Sequence, residues 1–482
     1  MTPTDLNKRL KNRESLVSPP DSDAGNSPWA ETPIASGSEM APAKPSVDVV
    51  ERREKRRISR RRIFLYFVLA FVFMRLSMVH QILEHLLHAD TYLIYFVAIP
   101  ALIGIPATGG FQRAFKYHSA LYWTAFALWM IPTSVFSTWR GGSIALMIAY
   151  FRTEFLLLYA IGGLVTTWRE CRWLMYTISG AALVNVISFF FLKELDENGR
   201  TSLTFGTVAN SNDYCAHLLY VLPFLLWVIL ISKSNYLRTG GFLAIVLALF
   251  EILAAGSRGA MLGLATAIIV FTTTTTAKLR RTILFVTPVL GILVFALLPT
   301  SVRHRMFAFS ADSSEMTPEA LQSEQSREQV LRDSIAFTIQ HPLLGLGPGQ
   351  FSNVEGEQTT KAGNKLWIPA HNSFAQIASE NGFPGLIFYL GGVLSSLFLL
   401  HKIDRSLVGK PGMKEPAAAV LCVRIGLISF CVAIFFVNFG YFFYLPAMAG
   451  IVIAIAASTK QLVAVATVQK RRGEPKVPPI RL

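Results

Sequence analysis

The chain has 482 residues, of which 52% are hydrophobic and 16% are charged, whereas about a quarter of the residues are charged in a soluble globular domain. With a mean hydropathy of +0.44, this composition excludes an ordinary soluble protein, and without alternating short strands it predicts an all-α integral membrane protein and not a barrel. The net charge is +15, but Lys and Arg gather at the ends of apolar runs, which indicates membrane orientation and no nucleic acid partner.

Residues 1–57 form the first predicted segment. They are rich in Pro, Ser, Asp and Lys and contain no apolar run, so they are predicted to be a disordered tail. They also lack the apolar region of a signal peptide, and no cleavage is expected before the first span. The basic block Glu51–Arg62 directly precedes the apolar run that starts at Ile63, which predicts a cytoplasmic N-terminus.

Apolar windows of roughly 17 to 25 residues follow, the length that crosses about 30 Å of hydrocarbon. They predict about twelve transmembrane helices, with spans 1 to 9 in residues 58–299 and spans 10 to 12 in residues 384–458. Residues 459–482 are predicted to be a second cytoplasmic tail. The windows are 63–80, 92–107, 118–137, 144–167, 173–192, 214–232, 241–255, 259–277, 282–299, 384–401, 417–438 and 441–458.

The connectors between these windows alternate in charge. Every second connector is basic, and the connectors between them are acidic or short, which by the positive-inside rule places both termini in the cytoplasm. One connector is long, residues 300–383 between spans 9 and 10, and is predicted to be external. The basic connectors contain Arg113, Lys116, Arg169, Arg172, Lys233, Arg238, Lys278, Arg280, Arg281, Lys402, Arg405, Lys410, Lys414 and Lys470–Arg472.

The long external connector contains two recognisable stretches. SREQVLRDSIAFTIQHP has apolar positions with charges between them, which predicts an amphipathic helix that ends before Pro342. HPLLGLGPGQF, His341 to Phe351, has three glycines within five residues but no Lys-Ser/Thr ending, so it is not a nucleotide-binding loop and ATP is not expected. It is predicted to be a rigid turn that brings His371 over the bundle, with backbone contact to a substrate as the alternative.

Three motifs in order carry a resemblance to a known family. LAAGSRGAMLGL, then HPLLGLGPGQF, then AHNSFAQIASENGFPGLIFYL resemble the O-antigen ligase family, which includes lipopolysaccharide O-antigen ligases, surface-polysaccharide polymerases and protein glycosylation ligases. The resemblance covers roughly residues 63–458. It implies a glycosyltransferase-type enzyme in the bacterial cytoplasmic (inner) membrane that moves a glycan from an undecaprenyl-diphosphate carrier to an acceptor at the periplasmic face. It implies neither a metal nor a nucleotide sugar.

Two arginines are predicted to bind the diphosphate of the donor. Arg258 lies in the GSRG turn between spans 7 and 8, where glycines allow close backbone approach and a helix begins. Arginine binds such oxygens through two donors while it stays charged. A helix-end arginine that reaches lipid phosphate is the alternative. For Arg200, before span 6, the resemblance implies a basic residue of the donor site in this region, and an ordinary exposed arginine is the alternative.

His371 is the predicted catalytic base. By itself the HN pair also fits a helix start, with Asn372 or Ser373 as its cap. The resemblance implies that His371 removes the proton from the attacking acceptor hydroxyl, because histidine can do so near neutral pH. Glu380 also matches a family position, but on a continuous helix it would point away from His371. It is expected to bind an arginine or to cap the next helix.

Three further arginines are weaker expectations. Arg327 and Arg332 on the external helix could face a glycan or diphosphate, although a solvated helix face is the usual place for such charges. Arg152 and Glu154 lie within a span, where charges are costly, and are expected to face the bundle interior or a wet cavity. Two residues apart, they do not share a helix face, so each needs a partner elsewhere.

The sequence does not identify the acceptor. It is a lipid A core sugar if the protein is a ligase, or another glycan if it is a repeat-unit polymerase. A multi-span transporter is the alternative from another class, although no inverted repeat is visible in the hydropathy. Cys171, Cys215, Cys422 and Cys431 have no metal spacing, so neither a zinc site nor a disulfide framework is predicted. No cofactor is expected, and the expected partners are the lipid-linked donor, the glycan or lipid A core acceptor and membrane lipid.

Overall fold

A computed structural model describes residues 47–195, 201–203, 205–208, 210–298, 318–361 and 368–472 of the chain. The chain divides into two compact units, Met1–Arg53 and Glu54–Leu482, and of the first unit only residues 47–53 are described. They already belong to the helix of the first span, which begins at Val47, inside the segment predicted to be disordered. Glu, Arg and Lys are good helix formers and continue that helix towards the N-terminus.

The second unit is helical, and its first helix begins in the last residues of the first unit. Its helices, numbered in chain order over the described residues, are α1 Val47–Ser77, α2 Val79–Leu87, α3 Leu93–Ala107, α4 Gly110–Ala114, α5 His118–Val135, α6 Arg140–Ala149, a π-helix Tyr150–Phe155, α7 Leu156–Leu164, α8 Trp168–Leu192, α9 Ser211–Ile231, α10 Asn235–Ala254, α11 Arg258–Thr274, α12 Ala277–Leu297, α13 Pro318–Gln340, α14 Phe351–Lys361, α15 Ser373–Leu407, α16 Lys414–Ala433 and α17 Tyr444–Arg472. Two short strands, Glu194–Leu195 and Thr201–Ser202, pair in antiparallel fashion.

The helical membrane fold is confirmed, but the count of about twelve spans is not. Within the described residues, eight helices are long and apolar enough to cross a membrane, or nine if α1 and the bent helix α2 form one span. The predicted windows 92–107 and 259–277 contain shorter apolar helices, α3 and α11. In these two windows the helix is too short for its length alone to establish a crossing. Helix α5, in the predicted window 118–137, is also not among the helices counted as able to cross.

The continuous segment Arg140–Leu164, made of α6, the π-helix and α7, joins the two ends of the bundle. At its first end the N–H of Thr138 donates to the carbonyl of Leu346 over 3.0 Å, so this end carries the long connector. At its last end the carbonyl of Leu164 accepts from Arg61 over 2.6 Å, and that of Gly163 accepts from Arg113 over 2.6 Å. The predicted cytoplasmic arginines therefore meet at the opposite end from the long connector.

Ion pairs hold the basic end together. Arg61 binds the Glu170 carboxylate through two nitrogens at 2.8 and 2.6 Å. Arg172 binds Glu415 in the same way at 2.6 Å. Such paired contacts join helices that are distant in sequence, α1 to α8 and α8 to α16, because arginine presents a planar fork that fits a carboxylate.

A small second core lies outside the main one, on the long-connector side. Val330 and Phe337 of α13 pack with Leu346, Phe351 and Ala370. The predicted amphipathic helix therefore forms, and it buries one face at helical spacing. Since Ala370 precedes His371, this core places the predicted catalytic turn directly beside α13.

Helix α15 packs against α5 and α13 and breaks at Gly382, where φ is 67°. A side chain there would collide with the Leu343 carbonyl, because a Cβ would lie 2.3 Å from that oxygen. Glycine therefore allows the long connector to pass close to the helix. The part of α15 before the break lies at the end of the bundle that carries the connector, and the part after it contains the predicted span 384–401.

Candidate functional site

His371 occupies a strained turn immediately before α15. Its φ is 47°, a left-handed conformation that non-glycine residues seldom adopt and that clusters at functional sites. The Asn372 side chain caps the helix, accepting from the N–H groups of Phe374 at 3.0 Å and Ala375 at 3.1 Å. Asn372 thus serves as the helix cap, while His371 lies outside the helix and is half-buried.

The turn is held by the connector between the last two helices, residues 434–443, here called the 434–443 connector. The N–H of Ser373 donates to the Ile434 carbonyl over 2.9 Å. The Ser373 hydroxyl donates to the Val437 carbonyl over 2.8 Å and accepts from the Phe439 N–H over 2.8 Å. Three bonds on one residue fix where α15 starts, and hence where His371 lies.

The Arg258 turn touches the same connector. Gly256 has a φ of 61°, and Ser257 caps α11 by accepting from the Ala260 N–H at 3.4 Å. Gly259 packs so tightly on Phe436 that a Cβ there would lie 2.6 Å from that side chain. Arg258, the first residue of α11, is half-buried. The 434–443 connector therefore joins the turn of Arg258 to the turn of His371.

Arg327 is the external arginine that the structure brings to His371. Burial lowers the pKa of His371, and the positive charge of Arg327 lowers it further, to about 4. Both effects disfavour the charged imidazolium. At neutral pH the ring is therefore uncharged and able to accept a proton.

Glu380 has a different role from either of the predicted ones. Its carboxylate accepts from the Gly349 N–H over 2.8 Å and from the Phe351 N–H over 3.1 Å. It therefore caps α14, which precedes it in the chain, and holds the glycine-rich turn. Glu380 and His371 were expected to point in opposite directions if they lay on one continuous helix. They do not share a helix, because α15 starts only after His371.

The glycine-rich turn, residues 345–351, has no backbone donor left for a phosphate. Gly345 donates to His341, Leu346 to Ser379, Gly347 to Glu380 and Gln350 to Gly347, all through backbone groups. Glu380 takes the two remaining N–H groups through its side chain, and Pro348 has none. Because each buried backbone donor is already paired, the turn serves as a rigid support and not as a phosphate cradle.

Replacement of Glu380 by alanine should therefore destabilise the protein. The Gly349 and Phe351 N–H groups would lose their acceptor, and an unpaired donor at the buried Phe351 costs about 1–3 kcal/mol. We expect a clearly lower melting temperature in detergent. The matched control is Glu357→Ala, since Glu357 is an exposed carboxylate on the helix that Glu380 caps. Equal melting temperatures for the two variants would show that Glu380 does not hold the turn.

The structure does not bring the remaining predicted arginines to this turn. Arg332 is 76% exposed and pairs with Glu328 one helical turn away at 2.6 Å, which is the solvated helix face named as the usual case. Arg152 is exposed, so it does not face the bundle interior, one of the two positions expected for it. Its guanidinium lies 5.7 Å from the centre of the Tyr95 ring. Arg200 lies outside the described residues.

Glu154 supports the site, and the sequence did not predict this role for it. Glu154 pairs with Arg75 of α1 and accepts from the Phe443 N–H at 2.8 Å. The expectation that Glu154 finds a partner away from Arg152 is thus confirmed, and that partner anchors the 434–443 connector. The sequence signal for this pairing was Arg75, which lies within the predicted span 63–80, because a charged side chain inside a span requires a partner in the bundle.

A polar cluster also lies behind the connector. Asn185 and Tyr444 both contact the buried His217 ring, at 2.7 and 2.9 Å. Tyr444 begins α17, so the cluster fixes the other end of the connector. In the described part of the chain, no three His, Cys, Asp or Glu side chains meet as metal ligands would.

Part of the chain is similar to a known protein family. Residues 243–390 match a family model described as O-Antigen ligase, which confirms the resemblance over that part of the chain. The matched segment contains Arg258, Arg327, His371 and Glu380. No curated protein matches the chain.

Proposed function

We propose that this protein transfers a glycan from an undecaprenyl-diphosphate carrier to an acceptor hydroxyl at the outer face of the bacterial inner membrane. The O-antigen ligase match of residues 243–390 supports a membrane enzyme of glycan ligation or polymerisation. The observation that carries the finer proposal is the 434–443 connector, which holds the turns of Arg258 and His371 by Gly259 and Ser373. A candidate anion-binding group and a candidate base are thus supported by one short segment.

The proposed step is a direct displacement at the anomeric carbon. The acceptor oxygen forms a bond to that carbon while the bond from the carbon to the diphosphate oxygen breaks. The acceptor proton passes to the neutral imidazole of His371, and the polyprenyl diphosphate leaves with the electron pair. General base catalysis of this kind requires an unprotonated ring, and the lowered pKa of His371 keeps the ring unprotonated at neutral pH, although it also makes the imidazole a weaker base.

Arg258 is proposed to bind the diphosphate, and Arg200 to contribute a second positive charge. Arg258 is the first residue of α11, at a helix N-terminus, where N–H groups favour an anion. Charge alone is insufficient for this role, because a diphosphate is held best by two parallel hydrogen bonds from one guanidinium.

Arg258→Lys is therefore expected to lower transfer by roughly tenfold or more, since lysine keeps the charge but loses the planar fork. Transfer and donor affinity are measured on purified protein. The matched control is Arg332→Lys, because Arg332 is exposed and paired with Glu328, and it should transfer normally. Wild-type turnover in Arg258→Lys would reduce Arg258 to an anchor at the membrane interface.

An apolar groove beneath the His371 turn suits the hydrocarbon chain of the carrier. It runs between α15 and α16, and its upper end is closed by Phe374 and Phe435, whose rings lie 4.6 Å apart. From Leu386 to Leu397 it follows about 16 Å of helix, roughly half the hydrocarbon thickness. The lining residues are Phe374, Leu386, Leu390, Val393, Leu394, Leu397, Ile428, Cys431, Val432 and Phe435. A carrier chain in this groove would leave its diphosphate at the level of the turn.

The function is tested with the purified protein in nanodiscs, by measuring binding and transfer of lipid-linked glycan without added metal or ATP. We expect both activities, and weaker binding for a donor whose carrier is too short to fill the groove. A protein that moves the donor across the bilayer without transferring its glycan would instead be a transporter. In cells, loss of the gene should leave carrier-linked polymer for a ligase and single carrier-linked repeats for a polymerase.

The proposed outer location of the site is supported by the distribution of charge and has its own test. Arg61, Arg113 and Arg172 lie at the end of the bundle away from the His371 turn, and basic residues favour the cytoplasm. Reporter fusions at Lys410 and Gln358 are expected to report the cytoplasmic and the external side, respectively. The proposed orientation fails if both fusions report the same side.

A further inference from the structure

Helix α13 has a second apolar side that stays partly exposed in the described part of the chain. Its core-facing side is buried at Val330, Ser334, Phe337 and Thr338. Along another side, Leu331, Ile335 and Ile339 are 39%, 52% and 67% exposed. These three residues are four apart and so form one stripe on the helix. A soluble helix would normally present polar residues there.

The stripe continues into the lipid-facing surface of a membrane span. Leu343, just past the end of α13, is 67% exposed. Its neighbour Pro342 accepts a hydrogen bond from the Phe383 N–H over 2.8 Å. Phe383 and Ile387 on α15 are 46% and 61% exposed, within a helix apolar enough to cross the bilayer. One continuous apolar strip therefore runs from the span onto the external helix.

Polar residues surround the stripe where an interface helix requires them. Arg332 and Glu328, an exposed ion pair, lie about one and two turns further from the span than Ile335. At 100° per residue they project from the same side as the stripe and flank Leu331 at its far end. Gln329 and Gln340 are also exposed, and at 100° per residue they project from a different side of the helix. This is the distribution of a helix that lies on a bilayer with its apolar side among the lipids.

From this continuity we propose that the C-terminal half of α13 lies in the surface of the bilayer, with Leu331, Ile335, Ile339 and Leu343 among the lipids. The partner is the membrane itself and not another protein. The neighbouring core-facing side of the helix, with Val330 and Phe337, packs with Ala370, the residue before His371. Lipid contact would thus set the height of the His371 turn relative to the headgroups. This inference does not depend on the chemistry proposed above, because it rests on exposure and position alone.

The test uses the full chain in phospholipid nanodiscs, with its four cysteines replaced by alanine and one new cysteine carrying an environment-sensitive fluorophore. The label positions are Ile335→Cys and Ile339→Cys, with Gln329→Cys and Gln340→Cys as matched controls on the same helix. All four positions are exposed, so labelling removes no core packing. We expect a blue-shifted emission at 335 and 339, quenched by phospholipids with a spin label high in the acyl chain. The labels at 329 and 340 should be quenched by aqueous iodide.

Two outcomes would overturn the proposal. Equal iodide quenching at all four positions would place the stripe in water. Protection at 335 from both quenchers, together with a disulfide between Ile335→Cys chains and a doubled particle mass, would show that a second copy covers it. Size-exclusion profiles matching the cysteine-free parent establish that each labelled chain is folded.

Discussion

His371→Ala should lower glycan transfer by about a hundredfold or more, the usual scale for loss of a general base, while binding of the lipid-linked donor persists. Binding is assigned to arginines and to the apolar groove, so it does not depend on the imidazole. Both quantities are measured on the same purified protein. Undiminished transfer would show that His371 takes no part in the mechanism. The HN pair would then matter only through Asn372, which caps α15.

The pH profile gives an independent measure of the same residue. Because burial and then Arg327 lower the pKa of His371 to about 4, the neutral ring persists well below pH 6. Transfer should decline only as the pH falls towards 4, where the ring becomes protonated. Arg327→Gln removes the positive charge that disfavours protonation, so it should shift this decline to higher pH. An unchanged profile in Arg327→Gln would mean that His371 does not limit the reaction at low pH.

His371→Gly separates catalysis from folding. Glycine adopts a φ of 47° without strain, so this variant should be as stable as the parent or slightly more stable, while transfer is lost. His88 provides the matched control, because it is an exposed histidine with a φ of 53°. His88→Gly should relieve similar strain and retain full transfer. Loss of transfer in both glycine variants would indicate a general backbone effect.

Glu154→Ala is expected to have the largest effect on stability. It removes the partner of the Arg75 guanidinium, whose side chain is only 11% exposed, and the acceptor of the Phe443 N–H. Breaking a buried ion pair at one partner costs about 3–5 kcal/mol, because the other charge is left uncompensated. We expect poor recovery of folded protein and a strongly lowered melting temperature in detergent.

The double variant Arg75→Met/Glu154→Met tests the cause of that loss. It removes both charges and should recover most of the melting temperature, as replacement of buried pairs by apolar residues often does. The exposed pair offers a second control, since Glu328→Ala should cost at most about 0.5 kcal/mol. A mild effect of Glu154→Ala comparable to that of Glu328→Ala would contradict the role of Glu154 as an anchor of the 434–443 connector.

Short-range features of this protein were predictable from sequence because they depend on local periodicity and capping. The amphipathic helix before Pro342 and the glycine turn after it form where the pattern indicates. Asn210 caps α9 by a local contact of the same kind, since its side chain accepts from the Asn212 and Asp213 N–H groups. The family resemblance was confirmed over residues 243–390 because short motifs in a constant order are visible without a structure.

Long-range partners could not be read in the same way. The cap of α14 comes from Glu380, which lies beyond that helix in the chain, and Glu154 finds Arg75 on a different span. The 434–443 connector, IFFVNFGYFF, has an unremarkable apolar sequence, yet it holds Ser373, Gly259 and Glu154. Its importance arises from backbone groups, which carry no sequence signal.

By itself, then, the sequence determined the membrane class, the positions of the apolar helices and the residues able to do chemistry, because hydropathy and residue type are local properties. Only the tertiary structure decided which polar groups pair with one another around the site. It assigned Glu380 to the turn at 345–351 and brought Arg327 to His371. Such pairings depend on how distant helices pack, since a buried donor or charge takes whichever partner the fold brings within reach.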